Sequence, residues 1–148
     1  LFMPDVWEAG TGNPMGIAGL GAGVGFVLNK GVENIAREET ALNQYFMDAI
    51  KDHDMVKIYG PMDAKRKTAV TNINGMVCST VGEQLNDACG IMVRTGLHCA
   101  PGAHRTLGTF PEGTVRFSFG NFSTKDQVDV AVQAILALAD YAAENKED

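Results

Sequence analysis

The chain has 148 residues, 45% of them hydrophobic, and a net charge of -6, which describes a globular domain with a sizeable core rather than a disordered or fibrous chain. The acidic balance excludes a basic nucleic-acid surface, since a short cluster such as Lys65-Arg66-Lys67 cannot supply one. The three separated cysteines, Cys78, Cys89 and Cys99, form neither an even disulfide set nor a Cys-x-x-Cys metal pair, which favours a reducing, cytoplasmic setting.

No basic n-region followed by a clean apolar core opens the chain, so no signal peptide is expected, and a start at Leu1 reads as a piece of a longer sequence. Residues 1–13 carry the breakers Pro4, Gly10, Gly12 and Asn13 and read as irregular. Glu8-Ala-Gly-Thr-Gly-Asn13 leads into a helix predicted to begin near Pro14, where an early proline and a preceding polar residue are expected. The unpaired amides and partial positive charge of a helix N-terminus suit an anion there; an ordinary capped loop is the simpler alternative.

Residues 15–28 are apolar or glycine on nearly every side. Gly16, Gly19, Gly21, Gly23 and Gly25 each lower helix propensity by roughly 1 kcal/mol relative to alanine, so packing has to hold this helix. A helix apolar all round is normally buried on all sides, and a free chain of 148 residues has little to cover it with, a second reason to expect further sequence. The run falls short of the about 20 apolar residues a membrane span needs. It also lacks a G-x-G-x-x-G spacing after a strand, so neither a membrane nor a dinucleotide is expected.

After Gly31 a second, amphipathic helix is predicted, with Val32, Ile35, Ala36, Leu42, Phe46, Ala49 and Ile50 at helical spacing. Residues 56–59 alternate and stop at Gly60-Pro61, which predicts a strand, and residues 69–74 predict another. A short helix over 81–89 follows, begun by Ser79 or Thr80 with Glu83 as capping partner and stopped by Gly90. Cys89, at its end, and Cys78, just before it, read as packing residues.

Residues 91–93 read as a strand that anchors Arg94-Thr-Gly-Leu-His-Cys-Ala-Pro101. In that loop Arg94 and His98 can supply positive charge near Cys99, and nearby cations raise the thiolate fraction of a cysteine. A buried filler cysteine is the alternative. Residues 103–107 suggest a helical turn behind the loop. Thr114 to Phe119 then predicts a strand with Val115, Phe117 and Phe119 on one face and Thr114, Arg116 and Ser118 on the other. Arg116 could bind a carboxylate through its two-pronged guanidinium, or simply pair with a surface acid. Ser123 or Thr124, with Asp126 or Gln127 as capping-box partner, opens a last helix whose stripe is Val128, Ala131, Val132, Ile135, Leu138 and Ala142. Residues 144–148 form a charged tail. A zinc site from His98, Cys99 and His104 lacks an evident fourth ligand, so no metal is expected. The order of elements describes an α/β (α+β) domain, mainly an antiparallel sheet covered by helices.

Together, Glu8-Ala-Gly-Thr-Gly-Asn13, Arg94-Thr-Gly-Leu-His-Cys-Ala-Pro101 and Thr114-Val-Arg-Phe-Ser-Phe-Gly-Asn-Phe-Ser-Thr124 resemble the C-terminal part of the cysteine desulfurase and selenocysteine lyase branch of the class V aminotransferases. The resemblance implies residues 1–30 as the end of a large cofactor-binding domain and its connecting helix, and residues 31–148 as the small C-terminal domain of a fold-type I pyridoxal-phosphate enzyme. It implies pyridoxal 5'-phosphate as the parent's cofactor and cysteine or selenocysteine as substrate. It also implies a homodimer and a sulfur-acceptor protein. Under it Cys99 is the sulfur-accepting cysteine, Arg116 binds the substrate carboxylate, and Arg94 and His98 support the loop. Gly10 and Thr11 reach the phosphate of the partner subunit's cofactor. None of the stretches around Lys30, Lys51, Lys65 and Lys125 resembles the cofactor-lysine motif, so this piece alone is expected to be inactive. Two other readings are a class V aminotransferase or lyase in which Cys99 is incidental, and a free-standing binding or scaffold domain.

Overall fold

The computed structural model describes residues 2–7, 10–63 and 68–145; Glu8 and Ala9, the Lys65-Arg66-Lys67 cluster and the end of the charged tail lie outside the described residues. The chain divides into two compact units, Leu1–Ala36 and Arg37–Asp148.

In the first unit a 3-10 turn, Asp5–Trp7, precedes helix α1, Pro14–Lys30. Asn13 caps α1, its side chain accepting from the Gly16 amide at 2.9 Å, and Pro14 takes the first helical position. An apolar helix is normally buried, and the sequence offers little to cover this one; no residue of α1 is buried. Its glycines add no contact area, and Leu20 and Leu28 remain about two-thirds or more exposed, at 68% and 72%. No single helix among the described residues is long and apolar enough to cross a membrane.

Helix α2, Val32–Ile50, follows, and in its last two turns Asn43, Phe46, Met47 and Ile50 are buried. The predicted stripe was wider, since Val32 and Ala49 are exposed. In the second unit strands β1 (Val56–Ile58), β2 (Thr68–Ile73), β3 (Arg94–Gly96) and β4 (Thr114–Ser118) form one sheet, ordered β1-β2-β4-β3, with every neighbouring pair antiparallel. Helices α3 (Cys78–Cys89), α4 (Pro101–Leu107) and α5 (Lys125–Glu144) complete it.

One face of the sheet is the core face. Ala69, Thr71 and Ile73 of β2 alternate inward and lie in register with Phe117, Val115 and Val56 respectively. Against them pack Phe46 and Ile50 of α2, Val81 and Leu85 of α3, and Val128 and Ile135 of α5, each contributing about 1.5–3 kcal/mol by leaving water. The Phe46 ring meets those of Phe117 and Phe119 with centroids 4.6 and 5.2 Å apart. The capping box of α5 is formed by Thr124 and Gln127, and its buried stripe includes Ala139, while Val132 and Leu138 are only half-buried.

Three sequence expectations shift. The strand predicted over 91–93 lies at Arg94–Gly96, because Ile91 is consumed in closing α3: its N–H donates to the Leu85 carbonyl around a left-handed Gly90. Helix α3 begins at Cys78 behind Val77, with no side-chain cap, so neither Ser79 nor Thr80 opens it. Cys89, expected to pack, is exposed at the helix end, whereas Cys78 is buried and its thiol donates to the Glu112 carbonyl at 3.1 Å.

Candidate active site

The sheet face opposite the helical core gathers the polar residues. Arg94 of β3 stands directly opposite Arg116 of β4, and Gly96 opposite Thr114. Thr95, between them in β3, turns to the core face, where its methyl group leaves no room for a Cβ on Gly82 of α3. Thr114 lies on the face predicted to be polar, yet it is fully buried. The beginning of β4 is fixed by Asn72, whose side chain donates to the Gly113 carbonyl at 3.0 Å and accepts from the Val115 amide at 3.3 Å. Gly113, with φ of 90°, packs so closely on the backbone of Gly96 that a Cβ there would collide with it.

β3 thus ends at a fixed point, and the chain turns at once. The Ala100 amide donates to the Leu97 carbonyl at 2.8 Å, closing a tight turn with His98 (φ 50°) and Cys99 (φ 63°) at its centre. Positive φ at both central positions is the pattern that asparagine and glycine usually serve. For other residues the left-handed region costs roughly 1–2 kcal/mol each, so the turn is strained at the residue carrying the thiol.

Cys99 is exposed, and Arg94 Nη2 donates to its sulfur at 3.7 Å. A guanidinium so placed can stabilise negative charge on the sulfur. Arg116 is half-buried, and its Nε is buried without a partner. Like charges opposed across a strand pair are unfavourable, and a buried unsatisfied donor is costly. Both costs fall when an anion enters between the two arginines.

His98 Nε2 lies 3.1 Å from Thr114 Oγ1, while its Nδ1 is buried without a partner. Burial, and then the charges of Arg116, His104 and Arg94, hold its pKa below the ordinary histidine value. The imidazole is therefore neutral at pH 7. His104 is buried, with Nδ1 2.7 Å from Thr109 Oγ1 and its ring 5.8 Å from that of His98.

Of the residues singled out in the sequence, Arg94, His98, Cys99 and Arg116 therefore come together on one face of the second unit. Gly10 and Thr11 belong to the first unit, where both are exposed. Sequence reasoning missed Thr114 as the anchor of His98, although its place two residues before Arg116 puts it on the same face. Among the described residues no group of three or more His, Cys, Asp or Glu could hold a metal ion.

The unpartnered Arg116 Nε and the exposed thiol fit the substrate side of a pyridoxal-phosphate site. Among the described lysines, Lys51 and Lys125 pair with Asp48 and Asp129 on the surface, and Lys57 lies over the Tyr59 ring.

Residues 3–130 match the sequence profile of the aminotransferase class-V family. The "Probable cysteine desulfurase 1" of Mycobacterium leprae is 36% identical over 137 residues, which are 93% of this chain and 22% of that protein. Among solved structures, the cysteine desulfurase of Thermococcus onnurineus NA1 superposes with a TM-score of 0.83 at 31% identity, over 93% of this chain and 34% of the other. The cysteine desulfurase CsdA (S-sulfonic acid) of Escherichia coli does so with a TM-score of 0.75 at 27% identity, over 93% and 32%. The α+β fold, a small antiparallel sheet covered by helices, is the small-domain architecture of fold-type I pyridoxal-phosphate enzymes seen in these structures. The chain spans about a fifth to a third of the length of these relatives.

Proposed function

Because the chain belongs to the aminotransferase class-V family, we propose that it is the C-terminal part of a pyridoxal-phosphate-dependent cysteine desulfurase, with Cys99 as sulfur acceptor and Arg116 as the carboxylate-binding residue. The observation that carries this reading is the juxtaposition of an exposed thiol, touched by Arg94, with a second arginine whose buried Nε lacks a partner. The relatives named cysteine desulfurase are in accord with it.

Bound pyridoxal phosphate would supply an electron sink for the substrate's α-carbon. The residues of this chain do the rest by positioning. Arg116 takes the carboxylate of cysteine or selenocysteine in a bidentate grip. Arg94 donates to the Cys99 sulfur and faces the charge that sulfur carries when it attacks. The Cys99 thiolate attacks the substrate's sulfur, a sulfur–sulfur bond forms, and the substrate's Cβ–S bond breaks. The electron pair of that bond stays with the carbon skeleton, which gains a proton and leaves as alanine, and Cys99 is left as the persulfide. Thiolate attack on sulfur is the elementary step of disulfide exchange, and a sulfur-acceptor protein would clear the persulfide by the same chemistry.

In the parent, residues 1–30 would end the large domain and residues 31–148 form the small one. Gly10 and Thr11 would reach the phosphate held by the partner subunit of a cytoplasmic homodimer. This piece alone would not turn over cysteine, for want of a cofactor lysine.

Supplying the full-length protein with cysteine and mapping the products by mass spectrometry tests the proposal. Alanine should form together with a persulfide on Cys99, and Cys99→Ala should abolish sulfide release. Undiminished turnover in that variant, or transfer of the amino group to a keto acid as the main reaction, would remove Cys99 from the mechanism.

A further inference from the structure

Two adjacent non-glycine residues with positive φ persist only where their surroundings hold them, and Cys99 is the second of such a pair, after His98. The turn's closing backbone bond, from the Ala100 amide to the Leu97 carbonyl, forms in any tight turn and does not select this one. The selective contact is made by a side chain. His98 Nε2 sits 3.1 Å from Thr114 Oγ1. Thr114 is fully buried and in register with Gly96, the last residue of β3, so it is a fixed anchor beneath the turn. His98 is half-buried on this contact, while the adjacent Cys99 is exposed with its sulfur at Arg94 Nη2.

We propose that His98 is a positioning residue for Cys99: its hydrogen bond to Thr114 locks the left-handed turn that sets the thiol against the Arg94 guanidinium. The inference rests on reading Cys99 as the reactive thiol. Without the bond the turn relaxes and the sulfur leaves its contact with the Arg94 guanidinium. Cys99 is already exposed, so access does not limit its reactivity.

The test is the rate of iodoacetamide alkylation at Cys99 in the full-length protein at pH 7, read by peptide mass spectrometry with the exposed Cys89 as internal reference. His98→Leu cannot hydrogen-bond Thr114 and, unlike asparagine, does not favour the left-handed region by itself, so nothing else holds the turn. His98→Gln carries its amide to about the place of Nε2. We expect His98→Leu to slow Cys99 relative to Cys89 by roughly three- to tenfold as the attacking sulfur loses the cation beside it, and His98→Gln to keep most of the rate. Arg94→Gln should slow Cys99 similarly, and His98→Leu added to it should do nothing further, because coupled residues act through one contact. Thr114→Val should behave as His98→Leu does, and Thr114→Ser as wild type. An unchanged rate in His98→Leu, or the same slowing in the presence and absence of Arg94, overturns the proposal. The sulfur-acceptor reading fails separately, if wild-type Cys99 alkylates normally but never carries a persulfide.

Discussion

Arg94 and Arg116 stand directly opposite each other on adjacent antiparallel strands, on the face of the sheet turned away from the helical core. Arg94 reaches the Cys99 sulfur at 3.7 Å, and Arg116 keeps a buried Nε without a partner. Opposed cations cost stability, by roughly 0.2–1 kcal/mol for a directly facing pair. The arrangement is one that a bound carboxylate relieves.

Replacing Arg116 should therefore separate stability from function. Arg116→Met in the full-length protein is expected to keep or slightly raise the melting temperature, since it removes both a repulsion and an unsatisfied donor. It should also lower kcat/KM for cysteine by about 10- to 100-fold, the loss of a charged hydrogen-bonding pair worth about 1.5–3 kcal/mol. Thermal melts and steady-state kinetics on one preparation check both halves. A lower melting temperature with intact kinetics would make Arg116 a structural residue.

Gly113→Ala should damage the site from beneath. Gly113 has φ of 90°, and a Cβ there would meet the backbone of Gly96. An alanine must strain its own backbone and also push the end of β3 away, at a cost of about 1–3 kcal/mol. The expected signature is a lowered melting temperature together with slower Cys99 alkylation. Gly108→Ala is the contrast: it also replaces a positive-φ glycine, of φ 73°, but has open space for its Cβ. It should lower stability without slowing Cys99.

Acid should weaken the second unit through His98. Its folded-state pKa lies below the ordinary value of 6.5, because burial and the charges of Arg116, His104 and Arg94 disfavour the cation. The unfolded chain therefore binds the extra proton first as pH falls. The contribution of neutral His98 is complete above about pH 6.5 and declines as pH drops from there towards the lowered folded value. Urea titrations from pH 7.5 to pH 5 should show wild type losing stability relative to His98→Gln, which does not titrate, as the pH falls. Parallel curves would remove His98 from the pH dependence.

Thr124→Ala should remove the capping box that opens α5. Thr124 accepts from the Gln127 amide at 3.3 Å, and the Gln127 side chain accepts from the Thr124 amide at 3.0 Å. A loss of about 1 kcal/mol is expected, with no change in Cys99 alkylation, because α5 packs on the core face of the sheet. A change in thiol reactivity would couple that helix to the site.

Much of this protein is written locally. The caps at Asn13 and Thr124, the stop at Gly90, the alternation of β4 and the stripe of α5 follow from side chains within a few residues of one another. Local physics therefore determines them. The grouping of Arg94, His98 and Cys99 in one short loop is local in the same sense. Where local signals compete, sequence reading slips: residues 91–93 look like a strand, yet the C-terminal closure of α3 claims Ile91. Cys89 resembles a packing residue, but at the end of its helix it is exposed. The facing of Arg94 and Arg116 and the anchoring of His98 on Thr114 belong to the tertiary structure alone. Periodicity says which face a residue takes, but not which residue stands across from it. Register is decided by pairing between distant strands, and here that pairing, pinned by Asn72 and by the contact of Gly113 on Gly96, turns a cysteine loop into a charged site.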